Sequence, residues 1–205
     1  MDIQKRAHWD HIYSTKNPSD LSWTQKIPAT SLAFIHELQI AKTAKILDVG
    51  GGESTLIDYL LKEGFENVSL LDISEKALEK TKARLGDQAR RVRWIVSDIT
   101  EFHPAEKYDL WHDRATFHFL TSEDHIARYV EIAYQCVNSY LTIGTFSDKG
   151  PKRCSGLPVK QYSEEDLQSR LTGRFTKIRC VREDHITPFH TSQNFLFCSF
   201  KRNEN

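Results

Sequence analysis

The 205-residue sequence lacks a net charge, because 28 basic residues are balanced by 28 acidic ones. Dedicated nucleic-acid binders are usually strongly basic, so we expect no nucleic-acid partner. No apolar run is long enough to span a membrane, so we expect no membrane partner either. The first residues, MDIQKRAHWDHIY, lack the apolar core of a signal peptide. Together these absences predict a cytoplasmic protein.

Paired cysteine motifs are also absent. The four cysteines, Cys136, Cys154, Cys180 and Cys198, are widely spaced and form no C-x-x-C pair. We therefore expect neither a zinc site nor a disulfide framework, but scattered and mostly buried thiols in a reducing compartment.

The composition is that of a folded globular protein, with 39% apolar and 27% charged residues. A chain of this length can bury a substantial core, so we expect a single domain over residues 1–205. Within it we distinguish an N-terminal segment (1–28), a core (44–146) and a C-terminal part (147–205). The C-terminal part is predicted to contain a loop and a closing β-hairpin.

Strand-like and helix-like stretches alternate through the core. The predicted strands are 44–50, 67–74, 92–99, 107–114 and 139–146, and the predicted helices between them are 53–64, 74–86 and 121–137. A further helix is expected over 29–39, and the closing hairpin over 175–186 and 194–200. Short links between alternating strands and helices are typical of an α/β fold with a doubly wound parallel sheet.

The stretch AKILDVGGGESTLIDYLL (44–61) reads as a buried strand, a turn of three glycines and an amphipathic helix. Such a turn lets a ligand approach the backbone closely, at the positive end of the helix dipole. A dinucleotide fingerprint would need glycine at the sixth position from Gly50, where Thr55 stands. Asp48, at the end of the strand, would lie close to a pyrophosphate but suits the positive groups of S-adenosylmethionine. The pattern favours S-adenosylmethionine over a dinucleotide.

Acidic residues also end the second and third predicted strands. Ligands of open α/β sheets bind at the carboxyl ends of strands, where Asp72 could accept both hydroxyls of a ribose. Asp98 could accept a hydrogen bond from an adenine amine, with Ile73 and Ile99 as apolar walls for the ring. The alternatives are a helix cap at Asp72 and an ordinary turn residue at Asp98.

ILDVGGGES, followed by LLDIS and VSDI, resembles motifs I, II and III of the class I S-adenosylmethionine-dependent methyltransferases. The resemblance covers about residues 44–146. It implies a seven-stranded Rossmann-like sheet of order 3-2-1-4-5-7-6 with strand 7 antiparallel. It also implies S-adenosyl-L-methionine as the cofactor, which methyl transfer converts into S-adenosyl-L-homocysteine. The residues that it implies around the cofactor are Asp48, Gly50, Gly52, Ser54, Asp72, Asp98 and Ile99. Ser54 stands where the family usually has a glycine, and the usual proline–glycine turn before strand five is absent.

Two further stretches resemble methyltransferases outside these motifs. WDHIYSTKNPSDLSW is similar to N-terminal segments that begin W-(D/E)-x-x-(Y/F), which implies that Trp9, Tyr13 and Trp23 form a lid over the cofactor. The alternative is that these aromatic residues simply pack on the body of the domain. DLWHDRATFHFL and CSGLPVKQY resemble a bacterial branch of small uncharacterised methyltransferases, which implies no substrate.

The candidate catalytic residues follow the fourth strand. Asp113 could orient a substrate, Arg114 could pair with a substrate carboxylate, and His118 could transfer a proton. The alternatives are a buried ion pair between Asp113 and Arg114, and a packed histidine at 118. A metal site made by His112, Asp113 and His118 is disfavoured, because no further ligand has a suitable spacing.

The acceptor is the part of the reaction that the sequence specifies least. Methyl transfer mainly requires alignment and exclusion of water, so a general base is optional for a thiol or free amine. The balanced charge and the absence of an N-P-P-(Y/F) motif favour a small-molecule acceptor. A protein lysine methyltransferase and a non-catalytic cofactor-binding subunit are the alternatives. The basic loop 147–162 would lie on the acceptor side of the pocket and favour an anionic substrate. The alternative is that it is simply a solvated loop.

Overall fold

A seven-stranded sheet forms the centre of the computed structural model, which describes residues 3–204. In chain order, the strands of this part of the chain are β1 (Lys45–Val49), β2 (Asn67–Asp72), β3 (Val92–Val96), β4 (Tyr108–Arg114), β5 (Val137–Phe146), β6 (Arg153–Cys154), β7 (Leu157–Pro158), β8 (Phe175–Ile186) and β9 (Ser192–Arg202). The α-helices are α1 (Ile3–Thr15), α2 (Ala29–Glu37), α3 (Leu56–Lys62), α4 (Glu75–Leu85), α5 (Glu123–Cys136) and α6 (Glu164–Leu171).

The sheet has the order β3-β2-β1-β4-β5-β9-β8. Strands β1 to β5 pair in parallel, whereas β9 runs antiparallel to both of its neighbours, β5 and β8. Counting β8 and β9 as the sixth and seventh strands, this is the predicted order 3-2-1-4-5-7-6. The α/β fold and its reversed last strand are therefore confirmed.

Both faces of the sheet are covered. Successive residues of β1 point to opposite faces, so Ile46 packs in one apolar cluster and Leu47 in another. The first cluster includes residues of α2, α3 and α4, and the second includes residues of α5 and α6. Because the core fills both sides, the carboxyl edge of the parallel strands is left for a ligand.

The segment predicted as a plain loop, 147–162, contains the short hairpin β6–β7. Its turn residues, Ser155 and Gly156, both have positive φ angles, of 50° and 79°. Two positive φ angles are typical of the tight turns that connect antiparallel strands. The hairpin is too short to show a strand-like alternation in the sequence.

The prediction that the chain has no disulfide was wrong. Cys180 on β8 and Cys198 on β9 are directly paired in register, and they form a disulfide across the hairpin. The spacing of cysteines does not reveal this pair, because it depends on the register of the hairpin. Cys136 and Cys154 are buried free thiols, as expected.

No helix among residues 3–204 is long and apolar enough to cross a membrane.

Candidate functional site

A cavity of about 280 Å³ lies at the carboxyl edge of the parallel strands. Its lining residues come from the ends of β1 to β4, from the N-terminal segment, and from the hairpin β6–β7. The predicted site residues that line it are Trp9, Tyr13, Trp23, Gly50, Asp72, Ile73, Asp98, Ile99 and Arg114. Those that are not part of the lining are Asp48, Gly52, Ser54, Asp113 and His118.

Two carboxylates enter the cavity from neighbouring strands, and each has one oxygen held by the chain just beyond it. Asp72 Oδ1 accepts a hydrogen bond from the Ser74 backbone N–H at 2.7 Å. Asp98 Oδ1 accepts from the backbone N–H and the hydroxyl of Thr100, at 2.9 and 2.8 Å. Because a carboxylate has several acceptor sites, both residues keep capacity for a ligand.

Burial raises the pKa of Asp72 from 3.8 to about 7. Water no longer solvates the ionised form, and hydrogen bonds from the backbone of Ser74 and Gly52 offset this only in part. The nearby carboxylates of Asp48 and Asp10 raise the pKa further. A ligand that donates hydrogen bonds to Asp72 would favour its ionised form.

The glycine turn is approached closely by two other segments. A Cβ atom at Gly50, where φ is +62°, would lie 1.7 Å from Thr116 Oγ1. A Cβ atom at Gly52, where φ is +46°, would lie 2.5 Å from Tyr13 Oη. Glycine is therefore required at both positions by backbone conformation and by contact. Ser54 instead accepts a hydrogen bond from the Leu56 N–H at the start of α3.

Asp48 lies buried behind the turn rather than in the cavity wall. Its Oδ1 shares a hydrogen bond of 2.7 Å with His112 Nδ1, and His112 Nε2 shares one of 2.9 Å with Ser31 Oγ. The other oxygen, Oδ2, is buried and has no hydrogen-bond partner among residues 3–204. The sequence does not reveal this chain of hydrogen bonds, because His112 comes from β4 and Ser31 from α2.

The N-terminal segment covers the cavity. The Trp9 ring packs edge-on against Phe119 and Trp23, with centroid distances of 5.0 and 5.9 Å. On the same helix, Asp10 Oδ1 accepts hydrogen bonds from Ser74 Oγ at 2.7 Å and from the Lys76 N–H at 3.3 Å. These contacts tie α1 to the N-terminus of α4, next to Asp72. The assignment of Trp9, Tyr13 and Trp23 as cofactor-contacting residues stays a prediction.

Asp113 holds the turn after β4. Its Oδ1 accepts hydrogen bonds from the backbone N–H groups of Thr116 and Phe117, at 3.0 and 3.3 Å, and its Oδ2 accepts one from Tyr129 Oη at 2.7 Å. Burial raises its pKa to about 6. Among residues 3–204 it makes no ion pair with Arg114, and it is not part of the cavity lining. The role of Asp113 in orienting a substrate stays a prediction.

His118 is also buried away from the cavity. Its ring stacks on Phe146 with centroids 4.1 Å apart, and its Nδ1 accepts a hydrogen bond from the Phe146 N–H at 3.4 Å. Burial lowers its pKa to about 3, so the ring is neutral at physiological pH. These contacts are those of the packed histidine, and the proton-transfer role stays an untested prediction.

Arg114, by contrast, faces the cavity. Its Nη1 donates a hydrogen bond to the backbone oxygen of Trp23 at 3.0 Å, and its guanidinium lies 5.0 Å from the centroid of the Phe195 ring. The Nε and Nη2 atoms are buried and have no hydrogen-bond partner in the described part of the chain. Burial lowers the pKa of Arg114 to about 10, which leaves the side chain positively charged at neutral pH.

The 147–162 loop contributes apolar residues and a thiol to the lining rather than its basic residues. Cys154, Leu157 and Pro158 line the cavity, whereas Lys160 pairs with Glu123 at 2.7 Å. No sequence pattern indicates the lining residues of the hairpin, because its strands are only two residues long. The positive charge of the cavity wall on this side comes from Arg114 instead.

Metal ligands do not converge in the part of the chain that the structure describes. Residues 3–204 contain no group of three or more His, Cys, Asp or Glu side chains arranged to hold a metal ion. His112 contacts Asp48 and Ser31, whereas Asp113 and His118 have separate partners.

Comparison with known proteins adds the family context. Residues 46–139 match a family model described as a methyltransferase domain. Malonyl-(acyl-carrier protein) O-methyltransferase 1 of Ilyobacter polytropus is 28% identical, over 94% of this chain and 75% of the relative. N-terminal Xaa-Pro-Lys N-methyltransferase 1 of Danio rerio is 29% identical over 91 residues, which are 43% of this chain and 40% of the relative.

Solved structures share the fold at low sequence identity. The 1,6-didemethyltoxoflavin-N1-methyltransferase of Burkholderia thailandensis, solved with bound 1,6-didemethyltoxoflavin and S-adenosylhomocysteine, has a TM-score of 0.71 at 18% identity, over 98% of this chain and 85% of that one. The N-methyltransferase NodS of Bradyrhizobium japonicum WM9, solved with S-adenosylhomocysteine, has a TM-score of 0.66 at 15% identity, over 95% and 93% of the two chains.

Proposed function

Because the chain belongs to the class I S-adenosylmethionine-dependent methyltransferases, we propose that it transfers the methyl group to a small organic molecule. The observation that carries this proposal is the part of the cavity wall that is formed by residues other than the strand ends of Asp72 and Asp98. We call this wall the acceptor-side wall and define it by six lining residues, Trp9, Trp23, Arg114, Phe119, Cys154 and Leu157. This wall is largely aromatic and apolar, and two of its residues, Trp9 and Trp23, belong to the N-terminal segment that covers the cavity. A covered cavity with such a wall suits a small molecule better than a protein segment.

The residues around the cavity fit the cofactor. Asp72 and Asp98 line one cavity from neighbouring strands, where they would hold the ribose and the adenine amine. Ile73 and Ile99 would flank the ring. Asp48 keeps a buried oxygen without a hydrogen-bond partner among residues 3–204, which suits a nearby positive charge.

The residues that would hold the methionine part of the cofactor are Asp48, Gly50, Gly52 and Ser54. The three aromatic residues of the N-terminal segment would close over it. When bound, the cofactor supplies a methyl group activated by a sulfonium.

The chain itself contributes orientation and exclusion of water. The aromatic rings of the acceptor-side wall shield the cavity, and close positioning of reactants lowers the barrier to a displacement. The wall offers no general base: burial raises the pKa of the Cys154 thiol to about 11, and Arg114 is a cation. The acceptor atom must therefore be nucleophilic without losing a proton to this wall.

Protein acceptors are the second candidate, because the Danio rerio relative is named for methylation of a protein N-terminus. That match covers less than half of this chain, whereas the Ilyobacter polytropus relative covers nearly all of it. The latter is named for a malonyl group, which is a small acyl unit presented on a carrier protein. A non-catalytic subunit is the third candidate, and intact cofactor positions at three strand ends argue against it.

Transfer of a labelled methyl group distinguishes these candidates. The purified protein is incubated with methyl-labelled S-adenosylmethionine and a cell extract separated into small-molecule and protein fractions. We expect label in the small-molecule fraction. Label confined to protein would contradict the small-molecule acceptor, and no transfer to either fraction would support the non-catalytic subunit. The Asp72→Ala variant is the control for transfer that does not depend on the cofactor site.

A further inference from the structure

The Arg114 side chain brings an unneutralised positive charge into the acceptor-side wall. The charged groups that act on it electrostatically are Glu183 and Asp48, but within residues 3–204 neither forms an ion pair with it. Although Arg114 as a whole is only partly buried, its Nε and Nη2 atoms are shielded from solvent and lack partners there. Buried donors are nearly always paired, so two free ones on a single side chain require an explanation.

The two free atoms lie on the same edge of the guanidinium. Nη1 is occupied by the backbone oxygen of Trp23, which fixes the orientation of the group. The N–H groups of Nε and Nη2 point in parallel along the remaining edge, and this is the edge that binds the two oxygens of a carboxylate.

We infer that the acceptor is a small organic acid and that the free edge of Arg114 binds its carboxylate. This inference rests on the proposed function and makes Arg114 the residue that determines specificity. The aromatic side chains of Trp9, Trp23 and Phe119 provide contacts for the apolar body of the acid. A single guanidinium edge matches one carboxylate, whereas a phosphate would normally be bound by additional cations or backbone donors.

An alternative partner for Arg114 lies within the chain. Glu183 on β8 accepts a hydrogen bond from Gln25 Nε2 at 3.4 Å, and its Oε2 is buried without a partner among residues 3–204. If Glu183 were the true partner of Arg114, an added carboxylate would compete with it and bind poorly. Glu183→Gln would then improve carboxylate binding strongly, whereas our inference expects a change of less than about threefold.

Binding of simple acids to the protein loaded with S-adenosylhomocysteine tests the inference without methyl transfer. The probes are benzoate and butanoate, each compared with its neutral amide by isothermal titration calorimetry. We expect each acid to bind at least about tenfold more tightly than its amide. Equal affinities for acid and amide, or no measurable binding of either acid, would overturn the inference.

Variants of Arg114 test whether this residue causes the preference for acids over amides. We expect Arg114→Met to remove the preference for acids over amides, and Arg114→Lys to retain only part of it, because an ammonium lacks the two-pronged edge. The matched control is Arg90→Met, since Arg90 is 86% exposed and should leave the preference unchanged. A preference that survives in Arg114→Met, with S-adenosylhomocysteine still bound, would overturn the inference.

The two proposals fail separately. If a variant no longer binds S-adenosylhomocysteine, the inference is decided by the unmodified protein alone, from the ratio of its affinities for the acid and the amide. If the acids bind selectively but methyl label appears only in protein, the small-molecule acceptor is wrong and so is its identification as an organic acid, while carboxylate binding by Arg114 stands. If label enters small molecules but acids are not preferred over amides, only the assignment of Arg114 is wrong.

Discussion

The two sides of the cavity are built in different ways. On one side, Asp72 is the last residue of β2 and Asp98 lies two residues after β3, and each carboxylate is held by an N–H group two residues further along. The acceptor-side wall is assembled from α1, the segment after it, the end of β4 and the hairpin β6–β7. In the proposed function, cofactor recognition is a local property of strand ends, whereas acceptor recognition depends on how distant segments pack.

The largest effect should come from removing Asp72. We expect Asp72→Ala to weaken S-adenosylhomocysteine binding by about 100-fold or more, because charge-assisted hydrogen bonds to the ribose are lost. Calorimetric titration measures the change. Asp87→Ala is the matched control, since Asp87 is 92% exposed and should have no effect. Unchanged affinity in Asp72→Ala would contradict the assignment of Asp72 to the ribose. It would also contradict the conclusion that residues at the strand ends specify this side of the cavity.

The pH dependence of cofactor binding should also come from Asp72. Its pKa of about 7 lies above its ordinary value of 3.8, so protonation competes with hydrogen bonds donated by the ribose. We expect affinity to fall by about tenfold per pH unit below pH 7, until the pKa of the bound state is reached. Calorimetry from pH 8 to pH 5 measures this fall, which should be absent in Asp72→Asn.

The same shift has the opposite consequence for the stability of the protein without ligand. A carboxyl group with a raised pKa binds its proton more tightly in the folded state than in the unfolded state. The contribution of Asp72 to stability is therefore greatest below pH 4 and is lost as the pH rises towards 7. Comparing denaturant unfolding of the unmodified protein and Asp72→Asn across this range isolates the contribution. A contribution that grew with pH would contradict the raised pKa.

Tyr13 joins the two sides, because it lines the cavity and its hydroxyl lies against Gly52. We expect Tyr13→Ala to weaken cofactor binding by about tenfold through loss of a buried aromatic contact. The control on the same helix is His11→Ala, since His11 is exposed. If Tyr13→Ala bound the cofactor with unchanged affinity, the N-terminal aromatic residues would contribute only to packing of the domain.

The smallest effect on methyl transfer is expected at His118. A substitution there distinguishes a role in proton transfer from a role in packing. Because the ring is neutral, stacked on Phe146 and outside the lining, we expect His118→Phe to change the rate of methyl transfer by less than about threefold. Thermal unfolding of the variant should show a modest loss of stability, since one hydrogen bond disappears. A loss of activity of about 100-fold in a folded variant would restore the proton-transfer role.

Much of the cofactor side could be predicted from the sequence. The alternation of strands and helices gives the α/β class, and the glycine turn with acidic residues at successive strand ends indicates where a nucleoside would lie. These are short-range features, in which the residues that act together are close in the chain. For this reason the positions of Asp72 and Asp98 in the cavity lining could be predicted from the sequence, whereas their contacts with a cofactor stay a prediction.

The acceptor side could be predicted only in part. Asp113 and Arg114 are neighbours in the sequence, but successive residues of a strand point to opposite faces, so only Arg114 reaches the cavity. The lining residues of β6–β7 come from a hairpin whose short strands carry no periodic signal.

Local hydrogen bonding and side-chain periodicity specify the α/β class, the glycine turn and the acidic strand ends, so these features follow from the sequence alone. The pairing of Cys180 with Cys198, the chain of hydrogen bonds from Asp48 through His112 to Ser31, and the use of Arg114 Nη1 by Trp23 while its other edge stays free are visible only in the folded chain. Those contacts join residues far apart in the chain, and they depend on strand register and on the packing of the N-terminal segment.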